Sequence, residues 1–159
     1  IYEIVTDSTN KKDEAYYINT NEEYNFADNQ VTRSWGTATP KRLEDENAVD
    51  ENGDPVLDDD GLQLINYGLK TEKKRIVKQQ ASGLLEKTDW HNHKALDDDT
   101  YTIPENIKTY RANVRAKSNE MESQINACTN VDELKALYEY TEQEDGTITR
   151  PLAEFPEEI

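Results

Sequence analysis

Apolar residues recur at helical spacing through the second half of the chain and predict three helices. The first is predicted over residues 71–87, and its apolar positions are Ile76, Val77, Ala81, Leu84 and Leu85. The second is predicted over residues 103–128, with apolar positions at Ile107, Tyr110, Val114, Met121, Ile125 and Cys128. A third covers residues 130–140. Because two apolar helix faces joined by a short loop tend to pack together, the first two are predicted to form a helical hairpin.

Two residues near the end of the first predicted helix bear on how this hairpin closes. Trp90 follows the last helical turn, so we expect its ring to plug the open end of the hairpin. Gly83 costs a helix about 1 kcal/mol relative to alanine, and its presence predicts the close approach of another backbone. The heptad-like spacing of the second helix fits packing within the hairpin and a short oligomeric coiled coil equally well.

Short runs of β-branched and aromatic residues in the first part of the chain predict strands. They lie at residues 1–6, 15–18, 24–26 and 31–35, with turn residues between them. A sheet of so few short strands is only marginally stable alone. We therefore expect its edge to pair with another chain or its face to lie on the helices. Tyrosines at positions 2, 16, 17 and 24 suit a half-buried sheet face and also a protein interface.

Residues 36–70 are rich in turns. Asn52-Gly53 and Asp60-Gly61 favour tight reversals, because these residue types tolerate positive φ. One long hairpin or a meandering arm is therefore predicted. The acidic residues do not form a calcium loop of the EF-hand type, since placing either glycine at the sixth position would put Ala48 or Val56 first.

These elements together predict an α+β fold in four parts. A small N-terminal antiparallel β part covers residues 1–35, and a turn-rich β-arm or linker covers residues 36–70. A helical domain follows over residues 71–140, and an extended tail over residues 141–159. Phe155 is the only strong apolar anchor of residues 148–159, and we expect that part of the tail to become ordered only on a neighbouring protein.

Charge and composition narrow the possible partners. Across 159 residues the net charge is -16, from 34 acidic and 18 basic residues. Such a chain repels polyanions, so neither a nucleic acid nor an anionic membrane surface is expected as a partner. Only 34% of residues are hydrophobic, which predicts a small core and burial completed by partners. The one dense basic patch docks an acidic surface or is a solvated helix face; its residues are Lys73, Lys74, Arg75 and Lys78.

No arrangement of residues predicts catalysis, a cofactor or a metal. His91 and His93 lie close to Asp89, but a zinc site requires three or four ligands and no spacing supplies the rest. We interpret both histidines as part of a polar surface loop. Cys128 falls on an apolar helix face, which indicates a buried thiol. No apolar run is long enough to span a membrane, and because the sequence begins with Ile1, we expect the original start to be missing or removed.

Residues 83–90, followed by Tyr110-Arg111 and Val114-Arg115, form an ordered set of the type LLxxTDW…YRxxVR. This set resembles small tail-fibre-assembly and tail-assembly-chaperone-like proteins of tailed bacteriophages, and related virion proteins of large marine phages. Residues 150–156 resemble the short Pro/aromatic tail that closes such sequences. The positions that the resemblance marks as interaction or scaffold residues are Leu84, Leu85, Asp89, Trp90, Tyr110, Arg111, Val114, Arg115 and Phe155.

The resemblance implies a setting for the protein and supplies no catalytic residues. It implies a structural component of the virion in the tail, baseplate or fibre-attachment region, present in the host cytoplasm during assembly. Its partners would be other virion proteins, and self-association is left open. The alternative is an assembly chaperone that binds a tail or fibre protein and is absent from the mature particle.

Overall fold

The computed structural model describes residues 3–159 and has the predicted α+β fold. Two compact units divide the chain, the first ending at Leu43 and the second running from Glu44 to Ile159. The part of the first predicted strand at residues 1–2, including Tyr2 of the tyrosine set, lies outside the described residues.

The N-terminal unit contains a three-stranded sheet and a small two-stranded one. Its main sheet has the order β1-β4-β3, from β1 (Glu3–Thr6), β3 (Glu23–Ala27) and β4 (Gln30–Ser34). The expected antiparallel arrangement is correct for β3 and β4, but it is wrong for β1, which pairs with β4 in parallel. The reason is that β3 runs opposite to β1 from the same end of the sheet, so β4, which reverses β3, runs in the same direction as β1. The second sheet pairs β2 (Tyr17–Ile18) with β5 (Thr39–Pro40).

Aromatic side chains form the small core of this unit. Tyr16, Tyr17 and Trp35 are buried. The Lys11 ammonium lies 4.9 Å from the centre of the Trp35 ring and the Arg33 guanidinium 4.7 Å from it, so cations cover the ring that the sheet leaves open. Two of the predicted tyrosines therefore serve the core.

Residues 44–67 form an arm in which three short segments pair with one another around a ring. The peptide N–H of Ala48 donates to the carbonyl of Leu64 (2.8 Å), that of Leu64 to Val56 (2.9 Å), and that of Val56 back to Ala48 (3.0 Å). The Gln63 side-chain amide donates to all three of these carbonyls, at 2.8–3.1 Å. Only one pair within the ring is regular, β6 (Glu46–Asn47) with β7 (Ile65–Asn66). The arm is thus a closed three-segment unit, where a hairpin or meander was predicted.

Aspartates fix the two turns of the arm. Asp50 Oδ1 accepts hydrogen bonds from the N–H groups of Asn52 and Asp54, and Asp58 Oδ1 accepts from those of Asp60 and Leu62. The bonds to Asp50 hold the pKa of that carboxyl below its ordinary value, led by the bond from Asp54. Both turns complete with a glycine at positive φ, as the Asn-Gly and Asp-Gly pairs predict.

Four helices follow the arm. They are α1 (Leu69–Glu86), α2 (Asp89–Asp97), α3 (Glu105–Ala127) and α4 (Val131–Ala136). Helix α1 begins at Leu69, two residues before its predicted start at Thr71. The carboxylate of Asp45 in the arm accepts from the Gly68 N–H (2.8 Å) and from the Thr71 hydroxyl (2.9 Å), so the arm holds the first turn of the helix.

Helices α1 and α3 pack as the predicted hairpin. The row of apolar side chains on α3, called the seam, provides its core. The largest fully buried side chains of the described chain are Met121, Ile125, Leu134 and Val114. The spacing of this seam is therefore used for packing within one chain. Helix α4 adds Leu134 and begins with a side-chain cap, since Asn130 Oδ1 accepts from the N–H of Glu133 (2.9 Å).

The C-terminal tail binds to its own helices. After the small hairpin β8 (Thr141–Glu142) and β9 (Ile148–Thr149), the Leu152 side chain is buried and its N–H donates to the carbonyl of Leu137 (2.9 Å). The Gln124 side chain brackets this residue, because it donates to the Pro151 carbonyl and accepts from the Ala153 N–H. The expectation that the tail becomes ordered only on a neighbour is wrong for this segment, since a buried leucine and these hydrogen bonds hold it.

Candidate functional site

Arg111 joins the ends of three structural elements at the centre of the LLxxTDW…YRxxVR set, the signature of residues 84–115. Its guanidinium donates from Nη1 to the carbonyl of Leu85 (2.8 Å) and to Thr88 Oγ1 (2.7 Å), and Nη2 lies 2.7 Å from Asp89 Oδ1. Only 7% of Arg111 is exposed. The end of α1, the link at Thr88 and the first turn of α2 are thus held by one side chain of α3.

The apolar signature residues lie in one cluster beside this network. Tyr110 and Val114 are buried together with Ala81, and three half-buried side chains pack against them. These three are Leu84, Leu85 and Phe155. Phe155 of the tail and the two leucines of the signature therefore belong to the same core. The signature thus contributes to folding through its leucines.

Arg115 does not share the role of Arg111. It is exposed, and its guanidinium reaches the Arg111 carbonyl only at 3.4 Å. None of the described acids between α1 and α3 pairs with it, because its position one turn further along α3 carries it away from Thr88 and Asp89. Arg115 instead lines a shallow groove between α1 and α3.

Trp90 does not plug the hairpin, and this prediction is wrong. The residue lies in the first turn of α2 and is 54% exposed. Its ring stacks on the His91 imidazole at a centroid distance of 3.7 Å. The reason for the difference is that Arg111 and Thr88 already fill the end of the hairpin, which turns the Trp90 ring outward. Gly83 also differs from expectation, since within residues 3–159 no atom beyond its own stretch of helix lies within 4 Å of the position that a Cβ would take there.

The histidines lie on helix α2, where a polar surface loop was predicted. His91 is buried, and its Nδ1 is hydrogen-bonded to the Tyr101 hydroxyl. The Lys94 ammonium lies 4.3 Å from the centre of the Tyr101 ring. Trp90, His91, Tyr101 and Lys94 together form a small aromatic and cationic cluster on the outer side of the Arg111 network. His93 is exposed.

We expect the substitution Trp90→Ala to lower the free energy of unfolding by only about 1 kcal/mol, because the ring is half exposed and loses mainly its stacking on His91. Urea unfolding of the wild-type protein and the variant measures this difference. A cost of about 3–5 kcal/mol, the range for truncating a buried aromatic side chain, would contradict the exposed position.

The N-terminal sheet carries an exposed apolar face. Register places Ile4 and Phe26 on either side of Val31, and these two are 66% and 57% exposed. Tyr24 continues this face and is also exposed. Both outer strands are edge strands within the described sheet. A sheet with an apolar face and two edges is a surface that protein partners use, either by packing or by strand addition.

The second unit carries a contrast of charge along its sequence. Residues 44–67 of the arm contain nine acidic residues and no basic one, whereas α1 contains five basic and two acidic residues. Apolar side chains are also exposed on the arm; they are Val49, Leu57, Leu62, Leu64, Ile65 and Tyr67. Beside the base of the arm, an open groove of about 640 Å³ runs along α1.

No group of three or more His, Cys, Asp or Glu residues within residues 3–159 is arranged to hold a metal ion. Burial raises the pKa of the Cys128 thiol above its ordinary value, with Glu133 adding to the shift, so this cysteine stays protonated at neutral pH. No helix in the described part of the chain has the length and apolar character needed to cross a membrane.

The geometry thus offers two kinds of feature. One is the internal hydrogen-bond network of Arg111 at the signature, and the other is a set of exposed surfaces suited to protein contacts. Comparison of the chain with family models, with curated proteins and with solved structures finds no match.

Proposed function

We propose that this protein is a non-enzymatic structural component of a tailed-phage virion, in the tail, baseplate or fibre-attachment region, and that it acts through protein–protein contacts. The observation that carries the proposal is the exposed apolar surface on the N-terminal sheet and on the arm. Isolated exposed apolar residues are ordinary, but an apolar sheet face with two edge strands is costly to leave in water. A partner that covers this face would remove that cost.

The phage setting is supported by the residue pattern LLxxTDW…YRxxVR over residues 84–115. In this chain Arg111, Thr88 and Asp89 of the pattern form one hydrogen-bonded network. A motif whose polar residues bond to one another stabilises the fold. The contact surface would then lie on elements outside the motif, and the N-terminal sheet and the arm meet that requirement.

The second candidate function is an assembly chaperone that leaves before the particle is complete. It is favoured by the core of the helical unit, where Val114, Met121, Ile125 and Leu134 are fully buried within one chain. A unit with such a core holds its fold without a partner, which a transiently bound protein requires. Both candidates use the same exposed surfaces, and they differ in whether the contact persists.

Quantitative mass spectrometry of purified particles and of infected-cell lysate tests the proposal. A virion component is expected in the particles at a fixed ratio to the major capsid protein through successive purification steps. Presence in the lysate together with a tail or fibre precursor, and loss from the particles, would favour the chaperone. Absence from both the particles and any complex with a virion protein would overturn the phage assignment.

A further inference from the structure

We propose that the acidic arm of one copy docks into the basic groove on α1 of a second copy, so that the protein associates head to tail. The inference rests on the proposed function, an assembly protein, and deepens it by naming one partner and the two surfaces involved. Both surfaces belong to the unit that runs from Glu44 to Ile159.

The groove combines cations with an exposed aromatic ring. Its described lining consists of Tyr67, Thr71, Glu72, Lys74, Arg75 and Lys78. Three of these six residues are basic and one is acidic, in a chain whose net charge is -16. A local basic patch on an acidic protein selects an acidic segment as its occupant, and the tyrosine ring adds an apolar contact for that segment.

The cations differ in how far they are already engaged. Lys74 Nζ donates to Asn126 Oδ1 (2.9 Å), and Lys78 Nζ lies 3.3 Å from Glu122 Oε2, so α3 holds both ammonium groups along the groove. Arg75 is exposed and makes no hydrogen bond or ion pair with another described residue. Its guanidinium is therefore the group with the most capacity to bind a carboxylate of an incoming segment.

The arm tip of a second copy has the complementary chemistry. The turn over residues 57–62 places three consecutive aspartates between Leu57 and Leu62, and both leucines are exposed. Asp58 is used to fix the turn, since it accepts from two backbone N–H groups. Asp59 and Asp60 remain for contacts, and the leucines match the Tyr67 ring. The two hydrogen bonds to Asp58 preorganise this turn, which reduces the entropy lost on docking.

Because the arm tip and the groove are different surfaces, their contact is heterologous. Repetition of such a contact gives a closed ring or an open chain of copies. Six lining residues are few compared with the roughly 20–30 residues per side of a standard interface, so the association should be weak and concentration-dependent. It should also weaken with salt, because the Debye length falls from about 10 Å at 0.1 M to about 3 Å at 1 M.

Sedimentation velocity of the full chain tests the proposal. Over roughly 10 µM to 1 mM protein, a range that covers weak complexes, we expect the average mass to rise with concentration at low salt and to return to the monomer at about 1 M salt. Two charge reversals, Arg75→Glu and Asp59→Arg, are each expected to weaken association by about tenfold or more. Mixing the two variants is expected to restore it, since the carboxylate introduced at position 75 of one variant then meets the guanidinium introduced at position 59 of the other.

Two controls separate this contact from general charge effects. Lys108→Glu alters the net charge by the same amount as Arg75→Glu, at an exposed position on α3 outside the groove, and is expected to leave association unchanged. Asp59→Arg makes the protein less acidic, so reduced overall repulsion would strengthen association, the opposite of the expected result. Circular dichroism and thermal unfolding establish that each variant is folded.

A monomer at every concentration and salt level would overturn the inference. Association that grows with salt, or that neither reversal changes, would also overturn it and would assign the contact to an apolar surface such as the N-terminal sheet. Failure in either form is distinct from failure of the proposed function, because incorporation into particles is measured by mass spectrometry and does not depend on contacts between copies in solution.

Discussion

Replacing Arg111 with methionine is expected to lower the free energy of unfolding by about 3 kcal/mol. Methionine keeps much of the apolar stem but removes the donors that reach the Leu85 carbonyl, Thr88 Oγ1 and Asp89. Hydrogen bonds to charged groups contribute about 1.5–3 kcal/mol each, and removing a donor leaves the buried acceptors unsatisfied. The bond to Asp89 adds the least, since that carboxylate is about half exposed and screened by water.

Arg115→Met provides the matched control, because it makes the same chemical change one turn along the same helix. Arg115 is exposed and has only a long contact to a carbonyl, so its loss should alter stability by about 0.5 kcal/mol or less. Arg111→Lys should fall between wild type and Arg111→Met, because an ammonium cannot reach three acceptors in the way that a guanidinium fork does. Equal urea midpoints for the two methionine variants would show that Arg111 does not hold the hairpin.

Helical periodicity is the most informative signal in the sequence. It predicts correctly those helices of which one face is buried and the other exposed. The spacing from Tyr110 to Cys128 predicts α3, because the apolar positions at that spacing are buried in the folded unit. The predicted α+β class is also confirmed. The short helix α2 was missed, because its nine residues include only three apolar ones and it is held by Arg111 and His91 contacts made across the fold.

Trp90 illustrates why a motif position does not reveal burial. A tryptophan at the end of an amphipathic helix is usually buried, but here the space it would fill is taken by Arg111 and Thr88. Thr88 belongs to the signature but is not among its marked interaction residues, although a hydroxyl residue at a helix junction is a frequent hydrogen-bonding partner. Which of several polar residues meets the arginine depends on the crossing of α1 and α3, and no local pattern encodes that crossing.

The arm carries an internal repeat in its sequence in addition to its turn residues. Ala48, Val56 and Leu64 are spaced by eight residues, and the segments between them repeat an aspartate and a glycine at matching positions, Asp50 with Gly53 and Asp58 with Gly61. An internal repeat of this kind predicts equivalent segments and hence a ring, where turn chemistry alone predicts a hairpin. The role of Gln63 could not be read in this way, because its amide bonds to carbonyls that only the closed ring brings together.

The substitution Leu152→Ala is expected to cost about 2–5 kcal/mol, the range for truncating a fully buried leucine. Only 2% of Leu152 is exposed, and the hydrogen bonds around it position the tail against α3 and α4. Leu96→Ala is the matched control, since this leucine is 80% exposed and its loss should change stability by about 0.5 kcal/mol or less. Urea unfolding measures both values.

Limited proteolysis of the same two variants separates loss of the tail from loss of the whole unit. If the tail is held mainly by Leu152, cleavage after Glu154 by a glutamate-specific protease should become faster in Leu152→Ala under conditions where the helices remain intact by circular dichroism. Gln124→Ala should increase cleavage to a smaller degree, because it removes the two bonds to residues 151 and 153 but leaves the leucine in place. Equal stability and equal cleavage in Leu152→Ala and Leu96→Ala would mean that the tail is not anchored by its own unit and that a neighbouring protein orders it.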